Sequence, residues 1–330
     1  MSRHRLGFAV KVVGGGGLPS HDTRRWQSGP HLSVSLERVR AVLDRLDELD
    51  VRMYRMATQL APYASHPDLP QFHRQVHDCA AQLAEVGAVA RARGIRLSMH
   101  PGQYTVLNST RPAVVDAAIA ELEVLGELFA ALGAGPEWVI VIHVGGAEGG
   151  VAAGLTRFAR GFERLSERAR AHLVIENDDR TYSLSEILPL SRSIGVPVVW
   201  DILHHHVCDP ERNPDAEALG HALATWPEGV TPKIHYSSPR LDIELAERRE
   251  GRRVVRQLVL PQTRAHADLV DPMGFEAFLR HDADGRDFDI MLEAKGKDLA
   301  LLRLRESLAA RGITSSNGAL SVPAPGRAAT

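Results

Sequence analysis

The sequence predicts a (β/α)₈ TIM barrel, a single α/β domain in which each parallel strand is followed by a helix. Short apolar segments rich in Val and Ile, typical of buried strands, occur eight times along the chain. Segments with a helical apolar period lie between most of them. Alternation of strands and helices indicates parallel pairing. Eight such units favour a closed barrel over an open doubly wound sheet, and 330 residues suffice for it.

The predicted strands are residues 6–10, 51–56, 95–99, 138–142, 173–175, 196–200, 232–236 and 288–292. The clearest helical period lies in residues 34–49, where positions 36, 39, 42, 43, 46 and 49 are apolar. Further helices are predicted at 112–132, 155–171, 184–194 and 216–224. Gly133 and Gly195 follow two of these segments, as glycines do at helix C-termini.

The seventh unit differs from the others. About fifty residues separate its strand from the eighth strand, too many for one ordinary connection, so a long insertion is predicted there. Arginines and carboxylates are mixed through residues 240–264, which predicts a solvated, charged helix of undefined role. The barrel domain is expected to span residues 1–310. Residues 311–330, rich in Ala, Ser, Gly and Pro, are expected to form a disordered C-terminal tail.

Composition and charge exclude several classes of protein. Hydrophobic residues make up 44% of the chain and charged residues 24%, which excludes a fibrous or wholly disordered protein. The formal net charge of −2 gives no general electrostatic argument for nucleic acid. No apolar segment reaches the length of a membrane helix, and no secretory signal precedes the first strand. With only two cysteines, the expected location is the reducing cytoplasm. Nothing identifies a protein partner.

Histidine and carboxylate side chains stand where the predicted strands end. Six strands end in such a residue, and two more histidines follow on loops: His100, His143, Glu176, Asp201, His235 and Glu293, then His204 and His266. In a barrel, these ends all face one mouth. Unpaired carboxylates there would be costly, and divalent cations suit a mixed imidazole and carboxylate set. Eight groups are too many for one ion, so two or three are predicted, an arrangement suited to phosphodiester chemistry.

Six local motifs at these positions resemble the UV damage endonuclease family, which is related to metal-dependent barrel nucleases of the endonuclease IV type. The motifs are MHPGQY at 99–104, HVGG at 143–146, IEND at 175–178, DILHH at 201–205, PKIH at 232–235 and LEAKGK at 292–297. They occur in the family's order, and the resemblance covers residues 5–305.

The resemblance implies a metal-dependent endonuclease that nicks the backbone of damaged double-stranded DNA immediately 5′ of UV photoproducts and abasic sites. It implies two or three divalent ions, usually Mn²⁺, with Zn²⁺ or Mg²⁺ as alternatives. The implied ligands are the eight His, Asp and Glu residues named above, with Glu176 bridging two ions. Lys233 matches a family lysine that can be carboxylated near the metals and act with Glu176 in catalysis. Its alternative is an ordinary surface lysine.

Gln103 and Tyr104 match the pair with which the family probes the duplex at a lesion. A polar and aromatic wedge suits this task because a damaged base pair is already poorly stacked. Phe8 and His66 are further implied contacts to DNA, although His66 could instead cap a helix. The first strand departs from the family pattern: Phe8 replaces a usual Tyr, and Val12 stands where an Asn is usual. These departures concern lesion choice rather than metal binding.

Two other functions remain open from the sequence. Sugar isomerases and epimerases also gather His and carboxylate ligands in such barrels, and a fold by itself does not decide between chemistries. A lesion-binding protein that holds metal without turnover is the third reading. A metal-dependent nicking assay separates all three.

Overall fold

A computed structural model describes residues 2–251 and 253–323 of the chain. Its centre is a closed barrel of eight parallel strands, which confirms the predicted fold. Strands β1 to β6 pair in chain order, and β10 pairs with both β1 and β7. Between β6 and β7 a parallel bridge joins Asp201 to His235, and the amide of His235 donates to the carbonyl of Trp200 at 2.9 Å. This bridge closes the ring.

The barrel strands are β1 (Ser2–Ala9), β2 (Met53–Arg55), β3 (Arg96–Met99), β4 (Val139–His143), β5 (Leu173–Glu176), β6 (Val198–Val199), β7 (Lys233–Tyr236) and β10 (Asp289–Leu292). The remaining strands are β8 (Glu244–Glu250), β9 (Arg253–Val259), β11 (Thr314–Ser316) and β12 (Ala319–Val322). The helices are α1 (Leu32–Glu48), α2 (Gln75–Asp78), α3 (Ala80–Ala92), α4 (Pro112–Leu132), α5 (Val151–Glu163), α6 (Glu167–Arg170), α7 (Leu184–Ile194), α8 (Ile202–Val207), α9 (Asp215–Leu223), α10 (Pro272–Ala277) and α11 (Lys297–Ala309).

Helices α4 and α7 coincide with their predicted ranges, and each ends at a glycine. Gly133 has φ +67° and Gly195 has φ +69°, the left-handed conformation that glycine adopts without a steric penalty. The single helix predicted at 155–171 is instead two, α5 and α6. Ser166 interrupts it because its hydroxyl accepts the amide of Ala169 and so starts a new helix.

The insertion after β7 is present, but the predicted charged helix is wrong. Strands β8 and β9 form an antiparallel hairpin with Glu250 opposite Arg253. Gly251, with φ +63°, follows β8, and a left-handed glycine suits a tight hairpin connection. Seven residue pairs join the two strands, from Glu244 opposite Val259 to Glu250 opposite Arg253, a ladder that a helix cannot form.

The predicted disorder is wrong for residues 314–322. Strands β11 and β12 form a hairpin, and β12 pairs antiparallel with the start of β1, from Ser2 opposite Val322 to Arg5 opposite Ala319. Leu320 and Val322 are buried, so apolar packing stabilises this pairing. Residues 324–330 lie outside the described part of the chain. Among residues 2–251 and 253–323, no helix combines the length and the apolar character needed to cross a membrane.

Candidate metal centre at the barrel mouth

Glu176, the last residue of β5, is the centre of the site. Its side chain is fully buried. The parallel register between β4 and β5 places His143 directly beside it. Two further strands supply imidazoles: Nε2 of His100 lies 2.9 Å from Oε2 of Glu176, and Nδ1 of His235 lies 2.7 Å from Oε1. Nε2 of His143 lies 3.5 Å from Oε2. One carboxylate therefore contacts ligand nitrogens from three other strands.

A second set of ligand atoms surrounds His235. Its Nδ1 lies 3.3 Å from Oε1 of Glu293, which follows β10. Asp201, after β6, is completely buried, and its Oδ1 accepts the amide of His204 at 2.8 Å. Within the described residues, Oδ2 of Asp201 and Nε2 of His235 have no hydrogen-bond partner. Buried polar atoms are normally satisfied, so these two atoms indicate a missing ligand.

His204 and His266 complete the mouth, and both are oriented by backbone carbonyls. Nδ1 of His204 donates to the carbonyl of Asn177 at 2.9 Å, and Nδ1 of His266 donates to that of Glu293 at 3.0 Å. A carbonyl can only accept, so the proton is on Nδ1 in both rings. The lone pair of a neutral ring is then on Nε2, the usual arrangement of a metal-ligating histidine with a carbonyl behind it.

Burial and charge set the protonation of these groups. Burial lowers the pKa of His100 to about 4, although Glu176 opposes the shift. Burial would raise the pKa of Glu176, but His235, His143 and His100 hold it well below its ordinary value. For His204, burial lowers the pKa, and the carboxylates of Asp201, Glu176 and Glu293 outweigh it, so the pKa rises to about 9. The centre is thus a set of ionised carboxylates with at least one neutral imidazole.

These donors fit divalent metal ions. Three overlapping groups have ligand atoms that all lie within 4.8 Å of one another: His100 with His143 and Glu176; His100 with His235 and Glu293; and Glu176 with Asp201, His235 and Glu293. Nδ1 of His100 also contacts the carbonyl of Pro101 at 3.1 Å. A divalent cation shared by these groups would be coordinated by imidazole and carboxylate together.

Lys233, in β7, is fully buried, so the surface-lysine alternative is wrong. Its Nζ donates to Oγ of Ser98 on β3 at 3.1 Å. Burial, together with the positive charges of Arg55 and Arg96, holds the pKa of this amine well below its ordinary value. Its surroundings therefore disfavour the protonated form of Lys233, which lies in the barrel interior two residues before His235.

Arg55 is a charged residue at the mouth that the sequence analysis missed. It ends β2 and forms an ion pair with Oε1 of Glu293. Both side chains are largely buried. Arg55 stands at a strand end, as the candidate ligands do. Arginine is not a metal ligand, so it was not among the predicted residues. Because it pairs with a candidate ligand, Arg55 fixes one carboxylate oxygen and partly balances the negative charge of the centre.

The residues implied as DNA contacts fall in different places. Gln103 and Tyr104 lie on the loop after β3, and Tyr104 is 83% exposed. Gln103 lines a cleft of about 440 Å³ whose wall includes His143, His204 and His266. His66 is exposed, and its Nδ1 accepts the amide of Asp68 at 3.2 Å within a turn, so this bond does not cap a helix.

The implied contact of Phe8 with DNA is wrong. Its side chain is 0% exposed and packs edge-on against Tyr54, with ring centroids 5.6 Å apart. Strand β1 is covered by neighbouring strands and by the apolar core, so this ring contributes to packing rather than to ligand binding. Val12, also buried, bridges to Leu18 within the first loop.

The fold and the site together define a (β/α)₈ barrel protein with a candidate metal centre of His, Asp and Glu side chains at its mouth. Comparison with known proteins defines the family. The family model described as UV-endonuclease UvdE matches residues 32–322. A UV DNA damage endonuclease of Bacillus cereus (strain G9842) is 32% identical over 275 residues, which cover 82% of this chain and 80% of the relative. This chain belongs to the UV-endonuclease UvdE family.

Solved structures agree with this assignment. The crystal structure of SacUVDE superposes with a TM-score of 0.76 at 28% identity and covers 94% of this chain and 99% of the other. The 3-keto-D-glucoside 4-epimerase YcjR from E. coli reaches a TM-score of 0.53 at 12% identity, covering 93% of this chain and 98% of its own. The second similarity shows a shared fold only.

Proposed function

We propose that this protein is a metal-dependent DNA repair endonuclease that nicks the backbone immediately 5′ of UV photoproducts and abasic sites. One observation carries the proposal: candidate metal ligands lie beside a cleft lined by Gln103 and Thr105, the two neighbours in sequence of the exposed Tyr104. An exposed aromatic ring next to a metal centre suits a substrate with stacked bases and a phosphodiester backbone. Membership of the UvdE family supports the same substrate.

The eight implied ligands, His100, His143, Glu176, Asp201, His204, His235, His266 and Glu293, would hold two or three divalent ions, most simply Mn²⁺. Glu176 would bridge two of them, because its two oxygens face different imidazoles. Bound ions would supply a hydroxide nucleophile at neutral pH and charge stabilisation for the attacked phosphate. The chain's contribution is to keep the donors aligned before DNA arrives.

Lys233 and Arg55 would adjust the charge of this centre. A neutral buried amine is the form of lysine that adds CO₂: its nitrogen bonds to the carbon, and one proton leaves. The resulting carbamate would convert Lys233 into a further anionic group beside the metals. Arg55 would position Glu293 through their ion pair. It is a positioning residue, since it contacts a ligand and not the reacting phosphate.

Gln103 and Tyr104 would enter the duplex at the lesion. Tyr104 would stack on an exposed base, while Gln103 would fill the space of the displaced nucleotide. His66, exposed on the loop after β2, would contact a neighbouring phosphate. The damaged double-stranded DNA would therefore be bound by loops, while the barrel strands carry the chemistry.

The test uses a duplex of about 30 bp with one pyrimidine dimer or abasic site, assayed after chelation and after adding back Mn²⁺, Zn²⁺ or Mg²⁺. Mapping both product ends to the bond 5′ of the lesion supports the proposal, and so does measuring two or three bound ions per chain. Binding without nicking in every metal would indicate a lesion-binding protein. Turnover of a ketose with no nicking would indicate a sugar epimerase.

A further inference from the structure

The hairpin of β8 and β9, with its flanking segments, forms an arm of residues 240–264 that stands away from the barrel. All of its strand residues whose side chains the structure describes are exposed on both faces of the ribbon. Leu245 is 58% exposed and Leu258 is 70% exposed. A two-stranded ribbon without packing partners is marginal by itself, so a bound partner would stabilise the arm.

The arm is joined directly to the proposed metal centre. At its base, Pro239 and His266 form an antiparallel bridge, and the amide of Arg240 donates to the carbonyl of Ala265 at 2.7 Å. The amide of Ala267 donates to the carbonyl of Ser238 at 2.9 Å. The candidate ligand His266 is therefore part of the base, and a partner bound to the arm also lies next to the mouth.

Positive charge is concentrated on this arm. Residues 240–264 contain seven arginines and four carboxylates, a net charge of +3 in a chain whose net charge is −2. Within the described residues, Arg256 pairs with Glu247 at 3.0 Å, whereas no ion pair or hydrogen bond involves the guanidinium groups of Arg248, Arg249 or Arg253. These three residues lie near the turn of the hairpin. Arg248 and Arg249 are close to the end of β8, and Arg253 is the first residue of β9.

We infer that the arm binds the phosphate backbone of the duplex beyond the lesion, an inference that rests on the proposed function. Unpaired guanidinium groups complement phosphates, and a two-stranded ribbon has the dimensions to follow a DNA groove. A seven-residue strand spans about 23 Å. At about 3.4 Å per base pair, it covers roughly seven base pairs. The arm thus increases the length of DNA that the protein contacts, and it makes no contact with the lesion itself.

The test is the binding of wild type and an Arg248→Ala, Arg249→Ala, Arg253→Ala variant to duplexes of about 12 and 30 bp, with and without a central lesion. The wild type is expected to bind the longer duplex more tightly, and the variant is expected to lose most of that gain. The slope of log affinity against log salt concentration should fall by about 0.9 for each lost phosphate contact, so by up to about 2.7. Damaged and undamaged duplexes should lose affinity equally.

Two controls define the interpretation. Replacing the same three residues by lysine keeps the charge and should keep the slope. An Arg164→Ala, Arg168→Ala, Arg303→Ala variant removes three exposed arginines near the outer helices α5, α6 and α11, and its slope should match wild type. An unchanged slope in the arm variant, or an equal fall in this control, would overturn the inference.

A second copy of the chain is the competing occupant of the arm. If sedimentation shows a dimer that Leu258→Ser dissociates, while the arginine variant keeps its salt slope, the arm is a protein contact and the inference is wrong. Failure of the proposed function is separable: a wild type that does not nick can still show the length and salt effects. A wild type that nicks but shows neither effect contradicts only the inference about the arm.

Discussion

The two ends of the barrel both bury charged groups, but they compensate them differently. At the end where the strands begin, Asp289 accepts hydrogen bonds from Arg5 at 2.9 Å and from Arg96 at 2.7 Å. At the mouth, Glu176 is surrounded by imidazoles, and one oxygen of Asp201 lacks a partner within the described residues. Asp289, held between two arginines of the chain, stabilises the scaffold. Glu176, held among histidines, fits the cation site proposed above.

The largest expected effect is at the mouth. Glu176→Gln removes the charge that would hold two ions together, so nicking should fall to near background and metal content should drop by one ion per chain. Its unfolding in the presence of a chelator should stay close to wild type, because the residue lies at the mouth and outside the barrel core. Elemental analysis, a nicking assay and thermal melting measure the three effects. If this variant nicked DNA at the wild-type rate, Glu176 would have no role in the mechanism.

The next effect is at the opposite end. Asp289→Ala leaves Arg96 buried without its carboxylate, which should cost about 3–5 kcal/mol in the free energy of unfolding by urea. Metal content of the folded variant should not change. Glu137→Ala is the matched control, since Glu137 also pairs with Arg5 but is about one-third exposed; it should cost less than about 1 kcal/mol. Equal losses would show that burial does not distinguish the two carboxylates.

The same pair predicts a pH dependence of stability. Burial would raise the pKa of Asp289, but Arg96 and Arg5 outweigh it and hold the pKa below its ordinary value. The stabilisation is therefore complete above the unfolded pKa, about 3.9, and is lost as the pH falls through the lower native pKa. Urea unfolding below pH 4 should show a shallower decline for Asp289→Ala than for wild type. Parallel curves would contradict the assignment.

A smaller effect separates the two ends by metal addition. Mn²⁺ at 100 times its dissociation constant should stabilise the wild type by about 2.7 kcal/mol, because only the native mouth assembles the ligands. Asp289→Ala should gain the same amount from its lower starting point, whereas Glu176→Gln should gain less. Differential scanning calorimetry with and without a chelator measures these shifts. If Mn²⁺ stabilised the wild type but not Asp289→Ala, the metal-responsive site would lie at the Asp289 end of the barrel and not at the mouth.

The smallest effect concerns the rim. Stacking of one base on an aromatic ring is worth about 1–3 kcal/mol, so Tyr104→Ala should weaken binding to lesion duplex by roughly 5- to 150-fold. Metal content should stay unchanged, and undamaged duplex should lose much less affinity. Tyr104→Phe keeps the ring and should bind as wild type does. Equal losses on damaged and undamaged duplexes at one salt concentration would make Tyr104 a general contact.

Barrel geometry explains why much of the candidate site could be predicted. Parallel strands direct their C-terminal ends to one mouth, so a His or carboxylate at the end of each apolar segment is enough to place it there. His143 and Glu176 end their strands as predicted, and His100 and Glu293 follow theirs by one residue. Arg55 could not be predicted because its role is to pair with the candidate ligand Glu293. Only the distance between the two side chains shows this pairing.

Long-range pairing explains most of what could not be predicted. Phe8 has the composition of a stacking residue, but its burial depends on neighbours more than forty residues away, such as Tyr54. Residues 314–322 are mostly small or polar, yet they are ordered because β12 pairs with β1. In the arm, neither strand has an apolar alternation of period two, and only the register of β8 with β9 makes the segment a hairpin.

The pairing of β1 with β10 and β12 has a consequence for synthesis of the chain. One edge of β1 is complete only when residues 289–292 and 319–322 have emerged from the ribosome. At about 5–20 residues per second, roughly 15 to 60 s separate translation of the first strand from that of its last partner. During this interval the nascent chain exposes an unpaired, apolar strand edge. Strands of other chains can pair with such an edge and cause aggregation. A messenger RNA truncated before codon 289 would encode a chain without β10 and β12. Its barrel would stay open at that edge of β1.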